Sequence, residues 1–231
     1  MCVRKECVIR PNLSKENIND CIVNASRILN TITDRQDLHN RSYVEQFQNI
    51  LMGELAEKAV LQYFRENGIY AVSAVDKESG VPDCGYDIIV FDKKGRERRV
   101  SVKSSLSVHK SSPEDIIDEA RFHLASKVSE ICDINIQVYF WLDLYGTTRV
   151  TTPSESNMAI IGWAGSKDIT GETASYSSEK REVVAVSLKE LRPMEELLRF
   201  LAKETDLPKG KSVFLFGGRG ELYKHVLVQE V

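Results

Sequence analysis

Two carboxylates in the middle of the chain have a spacing that chemistry can use. Glu54 and Glu57 occur in the sequence Gly53-Glu-Leu-Ala-Glu57. On an α-helix, side chains three positions apart lie about 60° apart, so both acids share one flank. Phe47, Ile50 and Leu61 lie on the same flank. Carboxylates among apolar residues are costly unless they are paired or bound to a cation. The pair therefore predicts a cation site, or the ordinary alternative that one acid reaches solvent or forms an ion pair with an arginine.

A third acid, Asp87, stands directly before the apolar run 88–91. An acid at this point could simply end a loop and cap a turn. Asp83, which follows a proline, is the competing acid in the same segment. We favour Asp87, because it abuts a strand and the sheet would hold it rigidly.

A lysine follows on the next strand pattern, in Ser101-Val-Lys103. Side chains alternate along a strand, so Ser101 and Lys103 share one face. By itself, a lysine near a strand end is typical of a solvated edge. Beside three carboxylates, it would complete a site for Mg²⁺, which prefers carboxylate and water oxygens. Such a site could stabilise charge on a phosphodiester, with Lys103 orienting the attacking water.

The elements around these residues follow from helical and strand patterns. A first helix is expected at 14–31. The capping-box pattern from Ser42 to Glu45 begins a second helix, which runs to about Asn67 and stops at Gly68. Strands are expected at 69–74, 87–92, 99–103, 134–142, 158–163, 183–188, 212–216 and 223–228, with further helices at about 113–131 and 193–203. This order indicates α/β or α+β, a mixed central β-sheet flanked by helices.

Composition excludes several classes of protein. The 231 residues are 42% apolar and 28% charged with a net charge of −3, which indicates one globular domain rather than a disordered or fibrous chain. No apolar run approaches the roughly 18 residues of a membrane span, and no signal peptide is visible. The five cysteines form no Cys-x-x-Cys pair, so reduced thiols and a cytoplasmic location are expected.

Taken together, these motifs resemble the PD-(D/E)xK nuclease superfamily, the fold of many type II restriction endonucleases. The helix around Gly53-x-x-x-Glu57 resembles the helix before the sheet in small resolvase-like members. The segment 85–90 resembles the strand with the metal-binding aspartate, and 100–105 resembles the strand with the catalytic lysine. The resemblance covers about residues 45–105, with a weaker continuation through 134–142.

The resemblance implies a fold, an activity and a set of site residues. It implies a restriction-endonuclease-like mixed sheet in a single domain, 1–231, with a core at about 42–145. Asp87 would be the central metal ligand, with Glu57 or Glu54 as the second carboxylate, and the catalytic set would be Asp87, Lys103, Glu57 and Ser101. The expected activity is Mg²⁺-dependent, sequence-specific cleavage of double-stranded DNA, with Mn²⁺ able to substitute. A homodimer is expected, because cutting both strands favours two-fold symmetry.

Two departures from the family pattern matter for the site. Tyr86 precedes the aspartate where the family has proline, and Ser101 stands where the family has an acid. Some restriction enzymes of this kind recruit the missing acid from a nearby helix. The candidates here are the two helix glutamates and four acids of the following predicted helix, namely Glu114, Asp115, Asp118 and Glu119.

Two polar segments could contact DNA. The predicted hairpin carries Lys93, Lys94, Arg96, Arg98 and Arg99, which we expect next to Asp87 and Lys103. They could neutralise phosphates or form an ordinary solvated surface. The segment 104–112 follows the lysine strand and has groups that can hydrogen-bond to phosphates or base edges. The predicted DNA-contacting residues are Lys94, Arg96, Ser104, Ser105, His109 and Lys110. The polar stretch 165–180 is a recognition loop or a plain connection.

Two other functions remain open from the sequence. One is a structure-selective nuclease of repair or recombination, which the resolvase-like helix favours. The other is a DNA-binding module that kept the fold and lost catalysis, which Ser101 favours. No membrane partner is expected in either case.

Overall fold

The computed structural model describes residues 3–31, 41–77, 85–110, 112–125, 130–142, 155–169, 173–176, 181–208, 210–216 and 222–227. The α-helices in these ranges are α1 (Lys15–Thr31), α2 (Tyr43–Glu66), α3 (Pro113–Glu119) and α4 (Met194–Phe200). The strands are β1 (Ala71–Ser73), β2 (Ile88–Phe91), β3 (Glu97–Ser107), β4 (Arg121–Ala125), β5 (Ile134–Trp141), β6 (Met158–Gly165), β7 (Thr173–Tyr176), β8 (Arg181–Ser187), β9 (Ser212–Phe216) and β10 (Leu222–Leu227). The expected mixed sheet with helices around it is confirmed.

The central sheet has five strands in the order β1-β2-β3-β5-β6. The first three strands are antiparallel to one another, and β5 lies parallel to β3 over its whole length. The last strand, β6, is antiparallel to β5 and extends the sheet beyond residue 145. Two smaller sheets accompany it, with strand orders β4-β8-β7 and β10-β9. The long middle strand β3 therefore contacts both the β1-β2 hairpin and the parallel strand β5.

Local signals determine the ends of α2, the helix that carries the two glutamates. Ser42 Oγ accepts from the backbone N–H of Glu45, and the Glu45 carboxylate accepts from the backbone N–H of Ser42. At the other end, Gly68 takes φ 69°, a left-handed conformation in which glycine carries no Cβ penalty. Both expected ends of this helix are confirmed.

The two faces of the sheet are covered differently. On one face, α1, α2 and α4 form a single apolar cluster with β2, β3, β5 and β6. On the other face, α3, β4 and β8 cover the β6 side, while the β9-β10 hairpin covers the β2 side. The strand positions between these two apolar clusters are polar, namely Ser101, Lys103, Ser105, Asn135 and Gln137. A polar strip thus runs along the middle of this second face.

One predicted helix was too long. The pattern predicted a helix over 113–131, but α3 ends at Glu119 and β4 begins at Arg121. Phe122 and Leu124 are buried and alternate with neighbours that are less buried, which is the period of a strand. The strand forms because β4 pairs with β8, a partner more than fifty residues away. Local propensity cannot report such a pairing.

A buried aspartate organises the turn between β2 and β3. The Asp92 carboxylate accepts from the backbone N–H groups of Lys94 and Arg96 and from the side chains of Arg96 and Arg98. Burial by itself would raise the pKa of Asp92, but these hydrogen bonds, led by Arg98, hold that pKa well below its usual range. Much of the basic character of the turn therefore neutralises its own carboxylate.

We expect Asp92→Asn to lower the free energy of unfolding by about 3 kcal/mol, because it leaves two arginines without their buried partner. The folded-state pKa of Asp92 is lowered, so its carboxylate stabilises the fold above the ordinary aspartate pKa and loses this effect as the pH falls. Urea unfolding at about pH 7 and about pH 3 should therefore show a smaller difference between variant and wild type at the lower pH.

The exposed Asp118, paired with Lys189 on the surface, provides the control. Asp118→Asn should change the free energy of unfolding by less than about 1 kcal/mol at either pH. An Asp92→Asn variant as stable as this control would contradict the role of Asp92.

Candidate functional site

Glu54 and Glu57 lie buried on α2, with 6% and 5% of their surface exposed. The ammonium of Lys77 lies between them, with Nζ 2.7 Å from Glu54 Oε2 and 3.0 Å from Glu57 Oε2. Asn24 also donates to Glu54 Oε2, at 3.2 Å, and Ser73 Oγ donates to Glu57 Oε1, at 2.5 Å. The ion-pair alternative for these acids is thus present, with a lysine rather than an arginine as the partner.

Burial and the facing charges act against each other in this cluster, with different outcomes for Glu57 and Lys77. Burial raises the pKa of Glu57, and the opposing effects of Lys77 and Ser73 do not cancel it. For Lys77, burial lowers the pKa, but the charges of Glu57 and Glu54 outweigh it and raise the pKa overall. The cluster therefore keeps its lysine charged. Because one ammonium faces two carboxylates, the positive charge beside them does not balance their negative charge.

Asp87 lies in the plane of the sheet, where β2 begins. Its backbone N–H donates to the carbonyl of Val100 at 2.8 Å, and its Oδ2 accepts from the backbone N–H of Val102 at 2.6 Å. The regular pairing of β2 with β3 starts one residue later, at Ile88. The Asp87 carboxylate thus satisfies a backbone donor of β3. That donor, Val102, is the residue directly before Lys103.

A small cavity joins Asp87 to the two glutamates. Its volume is about 150 Å³, and its lining consists of Ile50, Gly53, Glu54, Glu57, Val75, Asp87 and Val102. Gly53 lies in the interior of α2, where glycine costs about 1 kcal/mol relative to alanine. A Cβ there would meet no heavy atom within 4 Å, so packing does not demand this glycine. The missing side chain leaves the cavity open above the three carboxylates.

Ser101 and Lys103 belong to the other face of the sheet. Val100 and Val102 pack into the cluster under α2, and alternation directs the residues between and after them away from it. Ser101 is 3% exposed, and its hydroxyl has no hydrogen-bond partner among the described residues. Lys103 is half-buried in the polar strip and lines neither cavity beside the glutamates. The structure therefore brings Glu54, Glu57 and Asp87 together, and it places Lys103 across the sheet plane from the glutamates.

A cysteine reports on the neighbourhood of Asp87 and Lys103. The Cys132 thiol donates to the carbonyl oxygen of Gly85 at 3.3 Å. Burial raises the pKa of Cys132 to about 11, while the charge of Lys103 lowers it and the charge of Asp87 raises it. The geometric link between the two residues is the backbone of β3, because the Asp87 carboxylate accepts from the N–H of Val102, the residue before Lys103.

The donor chemistry of the cavity suits a hard divalent cation. Asp87, Glu57 and Glu54 supply carboxylate oxygens, the donors that Mg²⁺ and Mn²⁺ prefer. Across the described residues, no three acidic, histidine or cysteine side chains are gathered closely enough to hold a metal as they stand. At the glutamates, Lys77 already engages one oxygen of each. Asp87 with Glu57 or Glu54 could hold the cation once Lys77 is displaced.

The acids of α3 do not replace the acid missing at Ser101. Asp115 interacts with the helix-capping residue Ser112, Asp118 pairs with Lys189, and Glu119 pairs with Lys110. None of these acids, nor Glu114, lines the cavity with Asp87. Asp83, the competing acid, lies outside the described residues.

The residues predicted to contact DNA are scattered. The turn with Lys94 and Arg96 is at the far end of β2 from Asp87, roughly 17 Å along the strand, and not beside it as expected. Ser104 and Ser105 lie within β3, which runs on to Ser107 and is longer than predicted. His109 is exposed after the strand, whereas Lys110 forms an ion pair with Glu119.

Sequence reasoning missed Lys77 and the cleft in which it lies. This cleft, of about 760 Å³, opens between α1, α2, the segment after β1 and β10, and its charged lining includes Asp20, Lys58, Asp76 and Lys224. The signal was indirect, since two buried carboxylates require a cation, but sequence spacing does not reveal which one. Lys77 comes from an irregular segment with no periodic pattern.

Comparisons with family models, with curated proteins and with solved structures found no match to this chain. Among the described residues, no helix is both long enough and apolar enough to cross a membrane.

We expect the Glu57–Lys77 pair to be strongly coupled. In EDTA, Glu57→Gln and Lys77→Met should each lower the free energy of unfolding, and the double variant should lose about 2 kcal/mol less than their sum. The reason is that either single change leaves a buried charge short of its partner. Urea unfolding of the four proteins measures this coupling.

The matched control is the more exposed pair of Asp20 on α1 and Lys58 on α2, whose charged atoms lie 3.5 Å apart. The corresponding cycle for that pair should give less than about 1 kcal/mol. Equal coupling energies for the two pairs would contradict the buried ion pair.

Proposed function

We propose that this chain is a divalent-metal-dependent endonuclease that hydrolyses phosphodiester bonds in double-stranded DNA. The observation that supports this most is the position of Asp87. Its carboxylate is held by the backbone of β3 beside Lys103, and it lines the same small cavity as Glu54 and Glu57. The resemblance to PD-(D/E)xK nucleases requires Asp87 and Lys103 to be neighbours, and the hydrogen bond from the residue before Lys103 to Asp87 supports this.

Each residue has a distinct role in this proposal. Asp87 and Glu57, with Glu54 as the alternative, would hold Mg²⁺ or Mn²⁺. When bound, such a cation supplies positive charge opposite the phosphate and makes a water molecule more acidic. Lys103 approaches from the other face of the sheet, where its ammonium would orient water or neutralise charge that develops on the phosphate.

Ser101 has a supporting role. Its buried hydroxyl has no hydrogen-bond partner among the described residues, and Ser101 follows Val100, whose carbonyl accepts from the backbone N–H of Asp87. A hydroxyl in that position can donate and accept at once, so it can bind a water molecule near the carboxylate. It cannot supply the negative charge of the acid that the family has there.

The same proposal extends to partners and location. Cleavage of both strands of a duplex favours a two-fold homodimer, in which each copy acts on one strand. The described cysteines Cys7, Cys21 and Cys132 are free thiols, which favours a reducing compartment such as the cytoplasm. Sequence specificity is carried over from the resemblance to type II restriction endonucleases.

A specific observation favours a second candidate, a DNA-binding module without catalysis. Lys77 engages both helix glutamates, and Ser101 replaces an acidic ligand. If that lysine never leaves, the two glutamates stay engaged, and a metal beside Asp87 would be held weakly.

Digestion of long duplex DNA with Mg²⁺, Mn²⁺ or EDTA tests the proposal. The wild type should give discrete fragments that disappear in EDTA. Asp87→Asn and Lys103→Ala should each slow cleavage about a hundredfold or more, because each removes a group that stabilises charge or positions water. The controls are Asp118→Asn and Lys189→Ala, which change the same charges on exposed surfaces.

The other outcomes discriminate between the candidates. Cleavage that occurs only on branched substrates would indicate a structure-selective nuclease. DNA binding without cleavage in any metal, by a protein that folds like its controls, would contradict the nuclease and favour the non-catalytic module.

A further inference from the structure

Lys77 lies where a cation would have to bind. Its Nζ lies 2.7 Å and 3.0 Å from the Oε2 atoms of Glu54 and Glu57. We propose that Lys77 is an internal competitor of the divalent cation, so that its ammonium and the metal exclude one another at these glutamates. The identity of the cation rests on the proposed function, whereas the competition follows from the geometry.

The contacts leave little room for both cations at once. Glu57 accepts from Ser73 through Oε1 and from Lys77 through Oε2, so both of its oxygens are engaged. Glu54 Oε2 accepts from Lys77 and from Asn24. A divalent cation that takes an Oε2 oxygen must displace the lysine, since two positive charges at one carboxylate repel each other at short range.

The charge of the site explains why the exchange is feasible. Glu54, Glu57 and Asp87 bring three carboxylates to one cavity, and Lys77 is the single lysine that pairs with the glutamates among the described residues. A divalent cation would offset more of this negative charge than the ammonium does. In a site with little water, such a difference is larger than on the surface.

The cleft beside Lys77 offers an alternative position for its ammonium. Its side chain is 20% exposed and borders the cleft of about 760 Å³. Asp20 and Asp76 line the same cleft and can interact with an ammonium that has left the glutamates. Lys77 therefore acts as a positioning residue: without metal it holds both carboxylates in place, and with metal it gives up its position.

Binding of Mn²⁺ to the full chain tests the competition, read from the loss of the free Mn²⁺ signal in electron paramagnetic resonance. Lys77→Met keeps the apolar stem and removes the charge, and it should tighten Mn²⁺ binding about tenfold or more. The matched control is Lys58→Met, which removes the same charge from the same cleft. Lys58 pairs with Asp20 at 3.5 Å and not with the glutamates. Its effect should stay within about threefold.

Lys77→Arg tests the same inference in the opposite direction. Its guanidinium keeps the charge and can bind a carboxylate through two parallel hydrogen bonds, so it should be harder to displace. We expect about threefold to tenfold weaker Mn²⁺ binding for this variant. It also keeps the inference testable if the methionine variant fails to fold.

Two results would overturn the inference. One is Mn²⁺ affinity of Lys77→Met that equals that of Lys58→Met or falls below the wild type. The other is an arginine variant that binds Mn²⁺ as tightly as the wild type.

DNA cleavage separates this inference from the proposed function. Metal-dependent cleavage by the wild type with no change in Mn²⁺ affinity at Lys77 would refute the competition alone. The predicted affinities without cleavage of any DNA would support the competition and refute the nuclease.

Discussion

Two buried glutamates on one turn of α2 are the constraint on which the rest of the site depends. A carboxylate under a sheet is stable only with a cation close to it, and here the segment after β1 supplies Lys77. This requirement ties α2 to β1, because Ser73 and Lys77 hold opposite oxygens of Glu57. Because α2 is apolar on most sides, it could pack against the sheet in several orientations about its own axis. The two acids favour the orientation in which Glu54 and Glu57 line the cavity. The same demand for positive charge makes this place suitable for a metal.

The sheet contributes its own acid by a different device. Because β2 starts at Ile88, the backbone N–H of Val102 lacks a strand partner, and the Asp87 carboxylate accepts it instead. That contact puts Asp87 in the sheet plane, between the glutamates on one face and Lys103 on the other. Catalysis in the proposed nuclease would therefore occur beside β3 at the residue before β2. The glutamates would act from one face of the sheet and Lys103 from the other. A rigid backbone contact positions Asp87 better than a loop would, which matters for a group that must bind charge with little reorganisation.

Much of this was predictable from the sequence where local signals decide the structure. The capping box at Ser42 and the glycine at 68 marked α2, and the apolar runs marked β2 and β5. The proximity of Asp87 to Lys103 followed from a hairpin. Features that depend on distant partners could not be predicted from local patterns. Strand β4 forms because β8 pairs with it. The role of Lys77 has no local signal, because an irregular segment positions this residue. The basic turn offers less free positive charge than its residue count suggests, because the buried Asp92 pairs with Arg96 and Arg98.

A divalent cation held by Asp87 and Glu57 is the central requirement of the proposed function, and crystallography with Mn²⁺ tests it most directly. An anomalous difference map from crystals grown with Mn²⁺ should show a peak beside Asp87 and Glu57. Lys77 Nζ lies 3.0 Å from Glu57 Oε2 in the present structure. In the same crystals, this contact should be broken. Crystals grown with Mn²⁺ that show no peak in the cavity, with Lys77 still bridging Glu54 and Glu57, would contradict it.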